Sequence, residues 1–217
     1  MTTPAGVIFD MDGTLLDSMF YWNQVPADCL RQIYGKEPKP DLMDRLKVMT
    51  LHQGCDWVRR EYGLSAGADE IRDGINALMK QFYTQRVRVK DGARSWLEQL
   101  HKQDVPMVIA TSTDRPLVEA ALEYTGLAPF FSAVFTCTEV GAGKAKPDVY
   151  EAARAFLGPP KAQTWVIEDA LFAMRTAKAS GFLLAAVYDA SQAAQQQEIQ
   201  ALCDLYIPAF SALAYPF

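Results

Sequence analysis

The sequence predicts a doubly wound α/β fold, a parallel sheet flanked by helices, with a small all-helical domain inserted after the first strand. Three observations carry that prediction. Short runs of aliphatic and β-branched residues recur along the chain and are almost continuously apolar, as strands covered on both faces should be. Stretches at helical spacing alternate with them. The segment from Ser18 to Arg88 holds no convincing strand, yet it places Trp57, Val58, Tyr62, Ile71, Ile75, Leu78, Met79 and Phe82 at helical spacing.

Taken in order, the first strand is the run GVIF at Gly6–Phe9, and the helical insertion follows it. A helix over Ala93–Gln103 then leads to the strand PMVIA at Pro106–Ala110. A second helix covers Pro116–Thr125, a short strand AVFT lies at Ala133–Thr136, and a third helix spans Asp148–Leu157. TWVI at Thr164–Ile167, a helix over Ala170–Ser180 and FLLAAV at Phe182–Val187 complete the alternation. Leu205–Ile207 adds an edge strand, and the glutamine-rich stretch Gln192–Gln197 reads as a polar helix face. The expected division is an α/β core of residues 1–17 and 89–217 with a helical domain of residues 18–88.

Composition narrows the function. The 217 residues are half hydrophobic and 11% aromatic, enough for a sizeable core. A net charge of −5 with no basic run argues against nucleic acid as a partner. An acidic protein that handles an anionic substrate must supply positive charge locally, through a metal, a lysine or a helix N-terminus. Cys29, Cys55, Cys137 and Cys203 are scattered, the usage of thiols in a reducing compartment. No apolar stretch approaches the roughly 20 residues that span a bilayer, and no basic leader precedes the first strand. The expectation is a cytoplasmic monomer with no membrane partner.

The polar residues are placed unevenly. GVIF runs into Asp10-Met11-Asp12-Gly13-Thr14, MVIA into Thr111-Ser112-Thr113, and TWVI into Glu168-Asp169. Ligands of an open parallel sheet bind outside the carboxyl ends of its strands, so these three groups should meet at one edge. In extended chain Asp10 and Asp12 point to one face, and Gly13 allows a close backbone approach. Carboxylates so near one another repel unless a cation intervenes. A divalent ion solves this, and Glu168 or Asp169 would complete an oxygen-rich shell suited to Mg²⁺. That expectation requires residues 10 and 169 to lie close enough to share an ion.

At these residues the sequence resembles the haloacid dehalogenase superfamily, in the branch of β-phosphoglucomutase and phosphoglycolate phosphatase with a helical cap. DMDGTLLDS is similar to the family's first motif, DxDGTLxDS, and Thr111 after MVIA to its second. EVGAGKAKPDVY resembles the third, usually GKPxPDxY, and VIEDALFAMRTAKASG the fourth, VxEDSxxGxxAAxxAG. The resemblance covers nearly the whole chain and implies a Rossmann-like core, with the helical insertion as cap domain. It implies a Mg²⁺-dependent phosphatase acting on a small phosphorylated metabolite. Asp10 would attack phosphorus and form an aspartyl-phosphate. Asp12 would give and take protons with its side chain, meeting the metal through its backbone carbonyl. Asp169 would ligate the metal directly and Glu168 through water.

Thr111 would bind a phosphoryl oxygen with its hydroxyl, helped by the N–H of Ser112, or else cap the following helix; Gly13 and Thr14 would complete the phosphate cradle. Counting back from Tyr150 makes Lys144 the family's phosphate-binding lysine, while Pro147 argues for Lys146; Ala145 stands where proline is expected. Cap closure would exclude water, with hinges near Leu16–Ser18 and Gln85–Lys90. Trp22 occupies the region where mutase relatives carry a histidine, which tells against the alternative of a sugar-phosphate isomerase. A non-catalytic regulator has no need of so costly a cluster of like charges. Tyr21, Asn23, Lys47, Thr50 and His52 are candidates for contacting the rest of the substrate.

Overall fold

The computed structural model describes residues 4–46, 49 and 51–213. Lys47 and Thr50, two of the substrate-contact candidates, lie outside the described residues. The chain divides into two compact units, Met1–Met19 with Val87–Phe217, and Phe20–Arg86.

The larger unit is built on six parallel strands: β1 (Gly6–Phe9), β4 (Met107–Thr111), β5 (Ala133–Thr136), β6 (Thr164–Glu168), β7 (Leu183–Val187) and β8 (Leu205–Ile207). Their order is β5-β4-β1-β6-β7-β8. A two-stranded antiparallel ribbon joins β2 (Leu16–Asp17) to β3 (Arg88–Val89). The six-stranded sheet is a six-stranded Rossmann-like α/β core with helices on its faces. β1 lies between β4 and β6, so Val7 pairs with Met107 on one side and Trp165 on the other. The chain moves outward from β1 through β4 to β5, then crosses back to β6. This reversal leaves a crevice beyond the carboxyl end of β1, where such sheets bind ligands.

The apolar runs form strands because both of their faces are covered. On one face Ile8, Val108, Val166 and Leu184 meet Val149, Tyr150 and Ala153 of the helix Asp148–Leu157 and Met174 and Ala177 of the helix Leu171–Ala179. On the other face Phe9 makes edge-to-face contacts with Trp96 at 6.0 Å and Phe131 at 5.8 Å. All four residues of β1 are buried.

The boundaries differ from the sequence expectation in an informative way. Thr111 and Glu168 belong to the strands, because each ladder runs one residue further, through Thr111 with Thr136 and Glu168 with Ala186. Their polar side chains are thereby held by sheet geometry and not by a loop. The helix expected from Pro116 begins at Arg115, with Asp114 as the residue that precedes it. The β2–β3 ribbon was not expected, since two-residue strands are too short to show a period.

The smaller unit is helical, with helices Val25–Tyr34, Leu42–Leu46, Leu51–Glu61 and Ala68–Gln85. Its buried residues include Cys29, Leu30, Cys55, Val58, Ile71, Ile75, Met79 and Phe82. Tyr21 stacks on Phe82 at 4.5 Å, and the Trp22 indole N–H donates to the Tyr83 hydroxyl at 3.1 Å. No described helix is long and apolar enough to cross a membrane.

Candidate active site

Asp10 is the first residue past β1, and its N–H continues the ladder by donating to the Ile167 carbonyl of β6 at 2.9 Å. That bond fixes the direction in which the carboxylate leaves the sheet. One ligand oxygen from each of Asp10, Glu168 and Asp169 lies within 4.8 Å of the others, and all three residues are buried. Residues 10 and 169 are therefore close enough to share an ion. Lys144 reaches the same point from the loop after the short helix Cys137–Val140, and its ammonium donates to both Asp10 and Glu168. Lys146 is exposed.

Glu168 is saturated with donors. One oxygen accepts from Lys144 and from the Tyr150 hydroxyl at 3.0 Å. The other accepts the N–H groups of Asp169 at 3.1 Å and Ala170 at 3.2 Å. Asp169 accepts the Thr14 hydroxyl at 3.2 Å, so this threonine is directed at a carboxylate of the cluster. Gly13 adopts a φ of +79°, and a Cβ there would sit 2.4 Å from Asp169 Oδ2. Any side chain would collide with the cluster and strain the turn.

The electrostatics follow from burial. Desolvation pushes the Asp10 carboxyl up to about 7 against the pull of the Lys144 ammonium, and the charge of Glu168 adds to the rise. Asp169 is raised well above the usual carboxylate range by burial, then by the charges of Glu168, Asp10 and Asp189. Burial works against the charge of Lys144, but Asp10 and Glu168 outweigh it and hold the ammonium above the ordinary lysine range. Three buried carboxylates thus face one fixed cation. The donor set is all oxygen and short of positive charge, which fits a hard divalent ion.

Asp12 stands in different surroundings. Its carboxylate oxygens accept the Ser18 hydroxyl at 2.6 Å and the Thr113 hydroxyl at 2.7 Å. Thr111, at the end of β4, accepts the Thr113 N–H at 3.1 Å and keeps its own hydroxyl hydrogen to donate. Ser112 is exposed, with its hydroxyl 3.6 Å from the Cys137 thiol. Sequence reasoning did not assign roles to Ser18, Thr113 or Tyr150. Ser18 and Tyr150 stood inside the quoted motifs, and that position in a motif was the only signal the sequence offered.

A haloacid dehalogenase-like hydrolase family model matches residues 4–181. The chain belongs to this family. Several of its curated relatives are phosphatases: it is 27% identical over 203 residues to validoxylamine A 7'-phosphate phosphatase of Streptomyces hygroscopicus subsp. limoneus, covering 87% of this chain and 89% of the relative. It is 26% identical to fructose-1-phosphate phosphatase of Escherichia coli (strain K12), over 82% of this chain and 93% of the relative. Among solved structures, CbbY from Rhodobacter sphaeroides in complex with phosphate superposes with a TM-score of 0.84 at 18% identity, over 98% and 97% of the two chains. The chain is thus an enzyme of the phosphatase type within the haloacid dehalogenase-like hydrolases.

Proposed function

We propose that the chain is a Mg²⁺-dependent phosphomonoester hydrolase acting on small phosphorylated sugars or sugar-like alcohols through an aspartyl-phosphate on Asp10. The observation that carries this reading is that two aspartates separated by one residue occupy opposite environments. Asp10 lies in a charged, buried cluster, and Asp12 lies in a cradle of hydroxyls. Two carboxyl groups whose surroundings differ this much are suited to two roles.

In the first step an Asp10 oxygen attacks phosphorus, the bond from phosphorus to the ester oxygen breaks, and Asp12 gives that oxygen a proton. In the second step water attacks the phosphorus of the aspartyl-phosphate, Asp12 takes its proton, and phosphate leaves with Asp10 regenerated. Asp10, Asp169 and the backbone carbonyl of Asp12 would hold Mg²⁺, with Glu168 behind them; the ion supplies positive charge against the carboxylates and the transferring phosphoryl group. Lys144 orients Asp10 and Glu168. Thr111 and the Ser112 N–H bind phosphoryl oxygens, Gly13 leaves room for the metal ligand Asp169, and Thr14 holds that ligand in place. The helical unit serves as the cap, and the substrate class follows the sugar-related esters of the relatives.

The test is phosphate release from a panel of esters, with Mg²⁺ and with chelator, for the wild type and Asp10→Asn. Free phosphate that requires both the metal and Asp10 is the expected result. Isomerised sugar phosphate without release, or no turnover of any ester, would overturn the reading.

A further inference from the structure

Lys90 follows β3 directly and is tied down in three ways. Its N–H donates to the Leu15 carbonyl at 2.8 Å, and its ammonium donates to the Tyr188 carbonyl at 2.7 Å and to Asp189 Oδ2 at 2.8 Å. The two side chains of the ion pair are only 14% and 7% exposed. A buried pair of this kind repays its desolvation only with good geometry, and here the ammonium and both carboxylate oxygens are engaged, joining two separate segments of the chain.

The anchor on the far side is rigid. Tyr188 and Asp189 follow β7, and the Tyr188 N–H donates to the Ile207 carbonyl of β8 at 2.9 Å. The second oxygen of Asp189 accepts the Ser191 N–H at 2.9 Å. The partner on the near side needs an anchor. β2 and β3 are two residues each, and an isolated two-stranded ribbon is marginal by itself. Yet this ribbon sets the position of the loop that carries the aspartates. Leu16 pairs with Val89 and Asp17 with Arg88, the Gly13 N–H donates to the Leu16 carbonyl at 2.9 Å, and the next residue, Ser18, donates to Asp12 at 2.6 Å.

We propose that Lys90 is a positioning residue for Asp12, acting through the β2–β3 ribbon and Ser18, with Asp189 as its fixed anchor. The role for Asp12 rests on the phosphatase reading; the anchoring of the ribbon does not. Removing Lys90 alone leaves a buried carboxylate without its ammonium, so the ribbon is tested in the double Lys90→Met/Asp189→Asn; because the charge of Asp189 also bears on Asp169, its kcat is read against Asp189→Asn alone.

Two measurements on the full chain test the proposal. Amide exchange should accelerate at Gly13, Leu15 and Leu16 in the double variant, while amides of β1 and β4 exchange as in the wild type. On the best ester of the panel, kcat should fall roughly tenfold or more with KM nearly unchanged, since displacements of about 1 Å carry such costs, and Lys90→Arg should recover most of it. A folded double variant with wild-type exchange at residues 13–16, or with the kcat of Asp189→Asn alone, would overturn the proposal. A wild type that hydrolyses no ester would instead defeat the phosphatase reading, and the exchange result would still decide whether Lys90 anchors the ribbon.

Discussion

Asp10 and Asp12 are two residues apart on one loop, yet the chain has built a charged pole around one and a neutral cradle around the other. At the pole, Asp10 shares Lys144 with Glu168 and lies beside Asp169, and the surplus of negative charge is resolved only by protons or a cation. In the cradle, Asp12 receives two hydroxyl donors that carry no net charge. Fixed charge suits a group that must stay where it is and attack. Neutral donors suit a group that must gain and lose a proton, because they orient it and bring no charge of their own.

The largest break in this comparison should come from the pole. Asp10→Asn removes the nucleophile while keeping its shape, and phosphate release should fall by about 10⁴-fold or more, as losses of covalent nucleophiles do. Steady-state assays and the disappearance of acid-stable phosphoenzyme signal would check this. A variant within tenfold of wild type would show that another group attacks. Lys144→Met should come next. It leaves Asp10 and Glu168 buried without their ammonium, which destabilises by about 3–5 kcal/mol. Denaturant melts would read that loss, and activity should fall even at temperatures where the variant stays folded.

A third prediction concerns pH. The Asp10 carboxyl is raised from 3.8 to about 7 and Asp169 is raised in the same direction, so the folded metal-free protein binds protons that the unfolded chain releases. Stability that depends on these groups is present below pH 4 and is lost as pH rises through about 7. A divalent cation requires the ionised carboxylates and replaces the protons. The increase in Tm on adding saturating Mg²⁺ should therefore be larger at pH 8 than at pH 5. Equal increments at the two pH values would show that the cluster is not what the ion meets.

The two regions also differed in how far the sequence revealed them. The carboxylates of the pole were legible because Asp10, Glu168 and Asp169 end apolar runs and parallel sheets gather their strand ends at one edge, whereas Lys144 came only from the resemblance of its loop to the family's third motif. Asp10, Lys144, Glu168 and Asp169 could be grouped without coordinates. The fold was legible for the same reason, down to strands Gly6–Phe9 and Ala133–Thr136. The cradle was not. Thr113 was expected at the same edge, but nothing marked its hydroxyl as the one aimed at Asp12, and Ser18 reaches back only because the β2–β3 ribbon turns the loop upon itself. Hydroxyl residues are common at strand and helix ends, so composition gives no hint of which ones will aim inward. Thr14 shows the same limit, since its motif suggests a phosphate contact and its hydroxyl is directed at Asp169.

The cradle therefore supplies the smallest and most discriminating prediction. Ser18→Ala and Thr113→Val each remove one hydroxyl from Asp12 without changing the charge of the site. A hydrogen bond to a charged group contributes about 1.5–3 kcal/mol, so each variant should lose roughly ten- to a hundredfold in kcat while KM changes little. Mg²⁺ affinity, read by calorimetry, should stay near wild type, because neither hydroxyl touches Asp10, Glu168 or Asp169. If the two substitutions weakened metal binding as much as turnover, the pole and the cradle would be one electrostatic unit. If they left kcat intact, Asp12 would hold its working position without them, and proton transfer would owe nothing to the neutral donors around it.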